Sequence, residues 1–435
     1  MKIALAQLIK SAVQYTLDLL VSPKMTVILG EPFFYLMGLH RKRGKIDMSQ
    51  VKHALVVRLD GIGDIALTTP FLRQLRHNLT DAWITLIVKP DVYNLVELCP
   101  YVNEVLTYDF NTQGCLWQLR RHCRALRLAW RHLWKHRFDI AILPRWDVDH
   151  YHGTFIVYFS GASWRVGYSE NVIERKKKLN SGYDYLFTHV IDDKTVKHEV
   201  EHNMDLIRFL GGDVQNDRLE VWLGEEDKAF ADSMLRRCGV KAGELVIGFG
   251  ASGGNSSLKQ WPASNFIELG RRLMIKYNSR ILIVGSSGEE SLGSEIEQEL
   301  GSSVINAVGN ITLRQMAALL KRCRLYVGND SGPMHVASAV GIPVVAIFGS
   351  SCHHRFGPWG DRQTILWQAL PCSPCFQSQH LDRCNSCIFD HPRCIFDITI
   401  EQVQRAVEDI FHHNATNGFM NGSSKLNGER CALSM

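Results

Sequence analysis

Asp64 stands where a carboxylate could take a proton. It follows the turn Arg58-Leu59-Asp60-Gly61-Ile62-Gly63, which ends the apolar run Ala54 to Leu59, and it precedes the helical run Ile65-Ala66-Leu67. The two glycines let the chain turn sharply after a buried strand. A carboxylate at a helix start is favoured by the helix dipole, and in a parallel α/β sheet that position faces the ligand crevice. There it can serve as a general base. Helix capping is the plainer account of the same aspartate. Arg58 and Asp60, in the same turn, are acceptor-side candidates. The turn is a poor match to a dinucleotide fingerprint, because Ala66 stands where the third glycine belongs.

A second group of polar residues lies in the other half of the chain. Gly250-Ala251-Ser252-Gly253-Gly254 is a loop of exposed N–H groups and hydroxyls, and Lys259-Gln260-Trp261-Pro262 follows it. This suits a phosphate cradle with a point charge, although no Gly-Lys-Ser/Thr of a Walker A loop is present. Gly285-Ser286-Ser287-Gly288-Glu289 follows the run Ile281 to Val284, a placement from which a carboxylate can accept both hydroxyls of a ribose. The longest pattern is Leu325 to Ser351. Its turn Asn329-Asp330-Ser331-Gly332-Pro333 opens a short helix carrying His335, with free backbone N–H groups that suit a phosphate. Capping by Asp330 and Ser331, and core packing of His335, are the bland alternatives. Convergence of three turns at strand carboxyl ends favours the binding reading.

Cysteines supply a further cluster, Cys372-x2-Cys375-x8-Cys384-x2-Cys387-x6-Cys394. Two C-x2-C knuckles let paired thiolates share one tetrahedral ion, here a structural zinc or iron on Cys372, Cys375, Cys384 and Cys387. Reduced thiols in a loop are the alternative, and the x8 separation is short for common zinc modules.

The elements that must position these residues alternate between strand and helix twice over. With 435 residues, 46% hydrophobic and 21% charged, the chain suits two α/β domains. A net charge of +5 allows an anionic ligand or membrane surface and gives no sign of a nucleic-acid binder. The 12 cysteines and the lack of a clean signal peptide point to a reducing compartment. Residues 1–50 form an apolar, amphipathic extension. Ile3 to Val21 reads as an amphipathic helix, and Val27 to Leu39 is a short apolar run followed by Arg41-Lys42-Arg43. Both suit an interfacial anchor, or else a helix packed on the protein's own surface or on a second subunit. Residues 51–225 and 240–398 are the two α/β units, the second carrying the Cys-rich loop 371–394. Residues 399–413 form a last helix, and 414–435 a polar tail with the composition of disorder.

The motifs RLDGIGDIALTTP at 58–70, GAS with KQWP at 250–262, VGSSGEE at 284–290 and GNDSGPMHVASAVGIPVVAIFGSS at 328–351 resemble glycosyltransferase family 9, the heptosyltransferases. PCSPC at 371–375 also recurs among its members. The resemblance covers roughly residues 52–412. It implies a GT-B fold, with two Rossmann-like domains facing a cleft and the last helix crossing back to the first domain. It further implies an inverting transfer without a catalytic metal, from ADP-heptose to a lipopolysaccharide core hydroxyl, at the inner face of a bacterial inner membrane. By position, Asp64 matches the base, Lys259 the phosphate-binding lysine and Glu289 the ribose carboxylate. Asp330 matches the donor-sugar contact, and Ser331 and Gly332 the phosphate contacts, with Ser252 and His335 beside them. The chain departs from the family in Gly248-Phe249 before Gly250, in the extension before residue 50 and in the full cysteine loop. Some protein-modifying relatives carry a cysteine-bound iron finger, so a protein is an alternative acceptor. A GT-B nucleotide-sugar epimerase and an inactive glycan- or nucleotide-binding scaffold are the rival readings.

Overall fold

The computed structural model describes residues 21–42, 44–111, 116–254, 256–375 and 386–416. The expected helix Ile3 to Val21 lies almost wholly outside them, as do Cys384 and most of the tail.

Two parallel six-stranded sheets form the frame. The first is ordered β3-β2-β1-β4-β5-β6, from β1 (His53–Val57), β2 (Trp83–Val88), β3 (Glu104–Thr107), β4 (Ile140–Ile142), β5 (Trp164–Tyr168) and β6 (His189–Ile191). The second repeats that order as β9-β8-β7-β10-β11-β12. Its strands are β7 (Val246–Gly250), β8 (Arg280–Ile283), β9 (Val304–Asn306), β10 (Leu325–Asn329), β11 (Val344–Ile347) and β12 (Gln363–Leu366). This is the doubly wound order, with a crevice where the winding reverses, between β1 and β4 in one sheet and β7 and β10 in the other. Central strands such as Ala54 to Val57 and Val344 to Ile347 are buried on both faces, as their unbroken Val/Ile/Ala/Leu runs require. The edge strands β6 and β12 are only half buried, and their mixed composition gives no strand signal.

Apolar layers cover both faces of each sheet. The Ile62–Asn78 helix follows β1, and the Gly332–Ala339 helix follows β10. These two helices meet across the domain boundary. A Cβ on Gly63 would come within 2.5 Å of the His335 ring, and one on Gly332 within 2.9 Å of Ile62 Cβ. Glycine is needed at both positions for the domains to approach this closely.

One expectation needs correction. The last helix, Ile400–Thr416, does not cross back to the first domain: Val403, Ala406 and Val407 are buried in the core of the second. Its charged face pairs with the Ala263–Tyr277 helix of that same domain, Arg272 to Glu401 at 2.8 Å and Lys276 to Glu408 at 2.6 Å. Apolar and charged faces therefore agree on one partner.

Candidate active site

Asp64 lies in the first turn of the Ile62–Asn78 helix, whose N-cap is Gly61, so its carboxylate caps nothing. Its side chain is 30% exposed, and Oδ1 accepts a hydrogen bond from Arg58 Nη2 at 3.2 Å. Arg58 is fully buried. It pairs with Asp60 at 2.9 Å, donates to the Pro144 carbonyl, and lies 3.7 Å from Glu199. Asp60 is also buried and receives Arg145. In this arrangement the polar atoms of Arg58 and Asp60 serve one another and Asp64; both lie beneath the surface that an acceptor would meet.

The opposite wall is built around Asp330. Lys259 Nζ lies 2.8 Å from Asp330 Oδ2, which also accepts from Ser351 Oγ at 2.5 Å. Burial pushes the Asp330 carboxyl up, but the Lys259 ammonium and the hydrogen bonds prevail and hold it below its ordinary value. His335 Nε2 is 4.0 Å from Asp330 Oδ1. Burial pushes its imidazole down to about 4, with Asp330 pulling the other way, so it is neutral at pH 7. Ser331 occupies the N-cap of the Gly332–Ala339 helix, yet its hydroxyl does not cap; it reaches the Asn329 carbonyl at 3.3 Å. Pro333 has no N–H and the Met334 amide donates to the Ser331 carbonyl at 3.2 Å, so of the first three residues Gly332 has the amide placed for an anion.

Glu289 and Ser252 meet. The Ser252 hydroxyl donates to Glu289 Oε1, and Glu289 Oε2 accepts from the Ser286 amide at 2.7 Å. The Glu289 carboxylate is thus held at the carboxyl ends of the adjacent strands β7 and β8. Sequence reasoning missed the residue that joins this loop to the Asp330 turn. Asn329 is fully buried, donates to the Ala251 carbonyl at 2.7 Å and accepts from the Trp261 amide at 3.1 Å. An asparagine ending an apolar strand was the available signal.

A second missed group links the domains. Arg355, from the second domain, donates to Asp147 at 2.8 Å and to Glu199. Glu199 in turn faces Arg58, which holds Asp64. Burial pushes the Glu199 carboxyl up, but Arg355 and Arg58 outweigh it and hold it at about 2. Charge therefore runs from the second domain through Glu199 and Arg58 to Asp64.

The four-thiolate expectation includes Cys384, outside the described residues. Burial pushes Cys394 up to about 12, and the neighbouring Cys375, Cys372 and Cys387 add to it. Among the described residues, however, no three His, Cys, Asp or Glu side chains converge in a way that could hold a metal. Cys372, Cys375 and Cys387 thus do not form a ligand set by themselves.

The family model for glycosyltransferase family 9 (heptosyltransferase) matches residues 126–385. The chain belongs to glycosyltransferase family 9. Lipooligosaccharide heptosyltransferase 2 of Campylobacter jejuni is 30% identical over 176 residues, which cover 39% of this chain and 53% of that protein. The chain therefore matches about half of that relative's length. A family 9 glycosyltransferase from Veillonella parvula superposes with a TM-score of 0.70 at 21% identity, over 85% of this chain and 100% of the other. The Escherichia coli ADP-heptose lipopolysaccharide heptosyltransferase II gives 0.63 at 19%, over 83% and 99%. At these identities the likeness establishes the GT-B fold. The family model begins after Asp64, so the role of that carboxylate rests on its geometry and its motif.

Proposed function

We propose that this protein is an inverting heptosyltransferase acting in lipopolysaccharide core assembly, with ADP-heptose as donor and a core sugar hydroxyl as acceptor. One observation carries the reading: Asp64, on the first domain, stands across a narrow boundary from Asp330, Lys259 and His335 on the second, where Gly63 meets His335. In this mechanism Asp64 takes the proton of the acceptor hydroxyl. The oxygen attacks the anomeric carbon on the face opposite the nucleotide, and the bond to the ADP oxygen breaks. Lys259 and the Gly332 amide at the start of the Gly332–Ala339 helix offset the charge gained by the leaving phosphate, which supplies electrostatic stabilisation from the protein itself. Glu289, oriented by Ser252 and the Ser286 amide, accepts the ribose hydroxyls. Asp330 orients the heptose hydroxyls.

Family membership and the fold of the E. coli ADP-heptose enzyme support this reading. Incubation of purified protein with ADP-heptose and a lipopolysaccharide core acceptor tests it, beside UDP-, GDP- and CMP-sugars. The expected result is one added heptose with inverted anomeric configuration and stoichiometric ADP release, undiminished by chelator. Conversion of donor to an epimer without acceptor would replace this reading with that of an epimerase. Full transfer to a protein instead of the core would move the acceptor.

A further inference from the structure

The Pro23–Leu36 helix is fixed to the first domain along one side only. Phe34 packs on Tyr158, with ring centroids 5.5 Å apart, and Thr26 bonds His122 at 3.0 Å. Its only carboxylate, Glu31, turns inward to Arg165 at 2.7 Å. The outer side is apolar and uncovered: Leu29 is 60% exposed, Tyr35 71% and Leu36 85%. Beside it runs the Trp117–Leu128 helix, continued through Ala129–Leu133 and Trp134–His136, with Phe33 and Trp134 in ring contact at 5.5 Å. That second element exposes Trp130 at 67%, together with Arg127 and Arg131. Residues 116–137 contain no Asp or Glu at all.

We propose that these two helices form a face that docks on an anionic lipid bilayer. Exposed aliphatic and aromatic side chains enter the headgroup layer, and the arginines meet anionic headgroups. Charge selects this occupant over a second copy of the chain, since a two-fold contact would set arginines against arginines. Among the described residues, no helix is long and apolar enough to cross a membrane, so the geometry is that of lying on the surface.

The face also ends beside the crevice. Arg121 lies 4.7 Å over Trp117 and 5.3 Å over Phe110, Phe110 packs on Tyr151 at 4.7 Å, and Arg145 stands 5.7 Å from that ring while pairing with Asp60. A lipid-borne acceptor on the bilayer would therefore present its sugars at the Asp64 side. The docking face itself does not depend on the catalytic reading.

Vesicle flotation of the full chain tests the proposal, using phosphatidylcholine alone and phosphatidylcholine with phosphatidylglycerol, at low and high salt. The wild type should partition onto the anionic vesicles in a salt-sensitive way. Leu29→Glu/Leu36→Glu and Arg127→Glu/Arg131→Glu should each weaken partition roughly tenfold or more, while keeping the wild-type melting temperature. Equal partition of wild type and both variants would assign any binding elsewhere, residues 1–20 included, and overturn the proposal. No partition by the wild type would do the same, as would a wild-type dimer that either variant converts to monomer.

Discussion

In the second domain, Lys259, Asp330 and Ser351 satisfy one another across turns of a single sheet, and Ser252 with Glu289 does the same one strand away. In the first, Asp64 leans on Arg58, and Arg58 is shared with Asp60 and with Glu199, which Arg355 of the other domain holds in place. The two halves repeat one strand order, yet one wall is complete within its own fold and the other is completed by its neighbour. A nucleotide pocket can be built from local turns. The carboxylate proposed as the base is set, in this molecule, by how the domains sit together.

The sharpest way to break this comparison is at Asp64. Asp64→Ala should lower turnover by about 10² to 10⁴, the usual share of a general base, while donor affinity stays within about twofold, since the donor wall makes no use of that carboxylate. Full turnover would end the assignment. Arg355→Met should come next, because it removes the nearest cation from buried Asp147 and Glu199, leaving Glu199 with Arg58 at 3.7 Å, at a cost of up to roughly 3–5 kcal/mol, measured by urea unfolding. If the donor wall is self-contained, the same variant, where it remains folded, should bind ADP normally while its turnover falls. Weakened ADP binding would show that the walls are not independent. Lys259→Ala should weaken donor binding about 10- to 100-fold, from loss of a charge-assisted contact worth about 1.5–3 kcal/mol. Calorimetric titration with ADP reads this, and an unchanged affinity would remove the cradle.

A last test is in pH. His335, His198 and His202 are pushed down to about 4 in the folded protein, in each case chiefly by burial. Unfolded histidine titrates near 6.5, so the unfolded chain binds protons first. The stability these groups contribute is present above about pH 6.5 and is lost as pH falls toward 4. Glu199, held at about 2, adds a second loss below the ordinary glutamate range of about 4.3. Urea midpoints that stay level from pH 7 to 4.5 would contradict the burial of these rings.

Much of the donor wall is legible in the chain. Strand, glycine turn and helix start are local events, so the order of residues alone places Ser252, Lys259, Glu289 and Asp330 at strand ends. Asn329 is less legible, because its role depends on which loop lies above it. Arg355, Asp147 and Glu199 are not legible, since they come from three remote stretches and each looks ordinary in its own: a residue of a histidine-rich turn, a loop acid, a helix-start acid. The last helix is misplaced for the same reason. Its amphipathic pattern shows that it packs, and its buried Val403, Ala406 and Val407 with the charge pairs to Arg272 and Lys276 show against what.

The boundary between the domains has a mechanical consequence. Besides Arg355, it is closed by Arg314, which Asp227 holds at 2.9 Å within the second domain and which reaches Glu97 of the first at 2.6 Å, and by a neutral hydrogen-bond partner, His198, whose Nε2 lies 2.9 Å from the Gly357 carbonyl. Charges that part regain water, whereas apolar surfaces that part gain nothing, so the desolvation cost of these pairs is recovered when the cleft widens. Salt screens the partly exposed Arg314–Glu97 pair far more than the buried Arg355 pairs, so ionic strength acts on this boundary chiefly at Arg314. Salt should therefore act on the rate at which substrates enter and products leave before it acts on the chemistry between them.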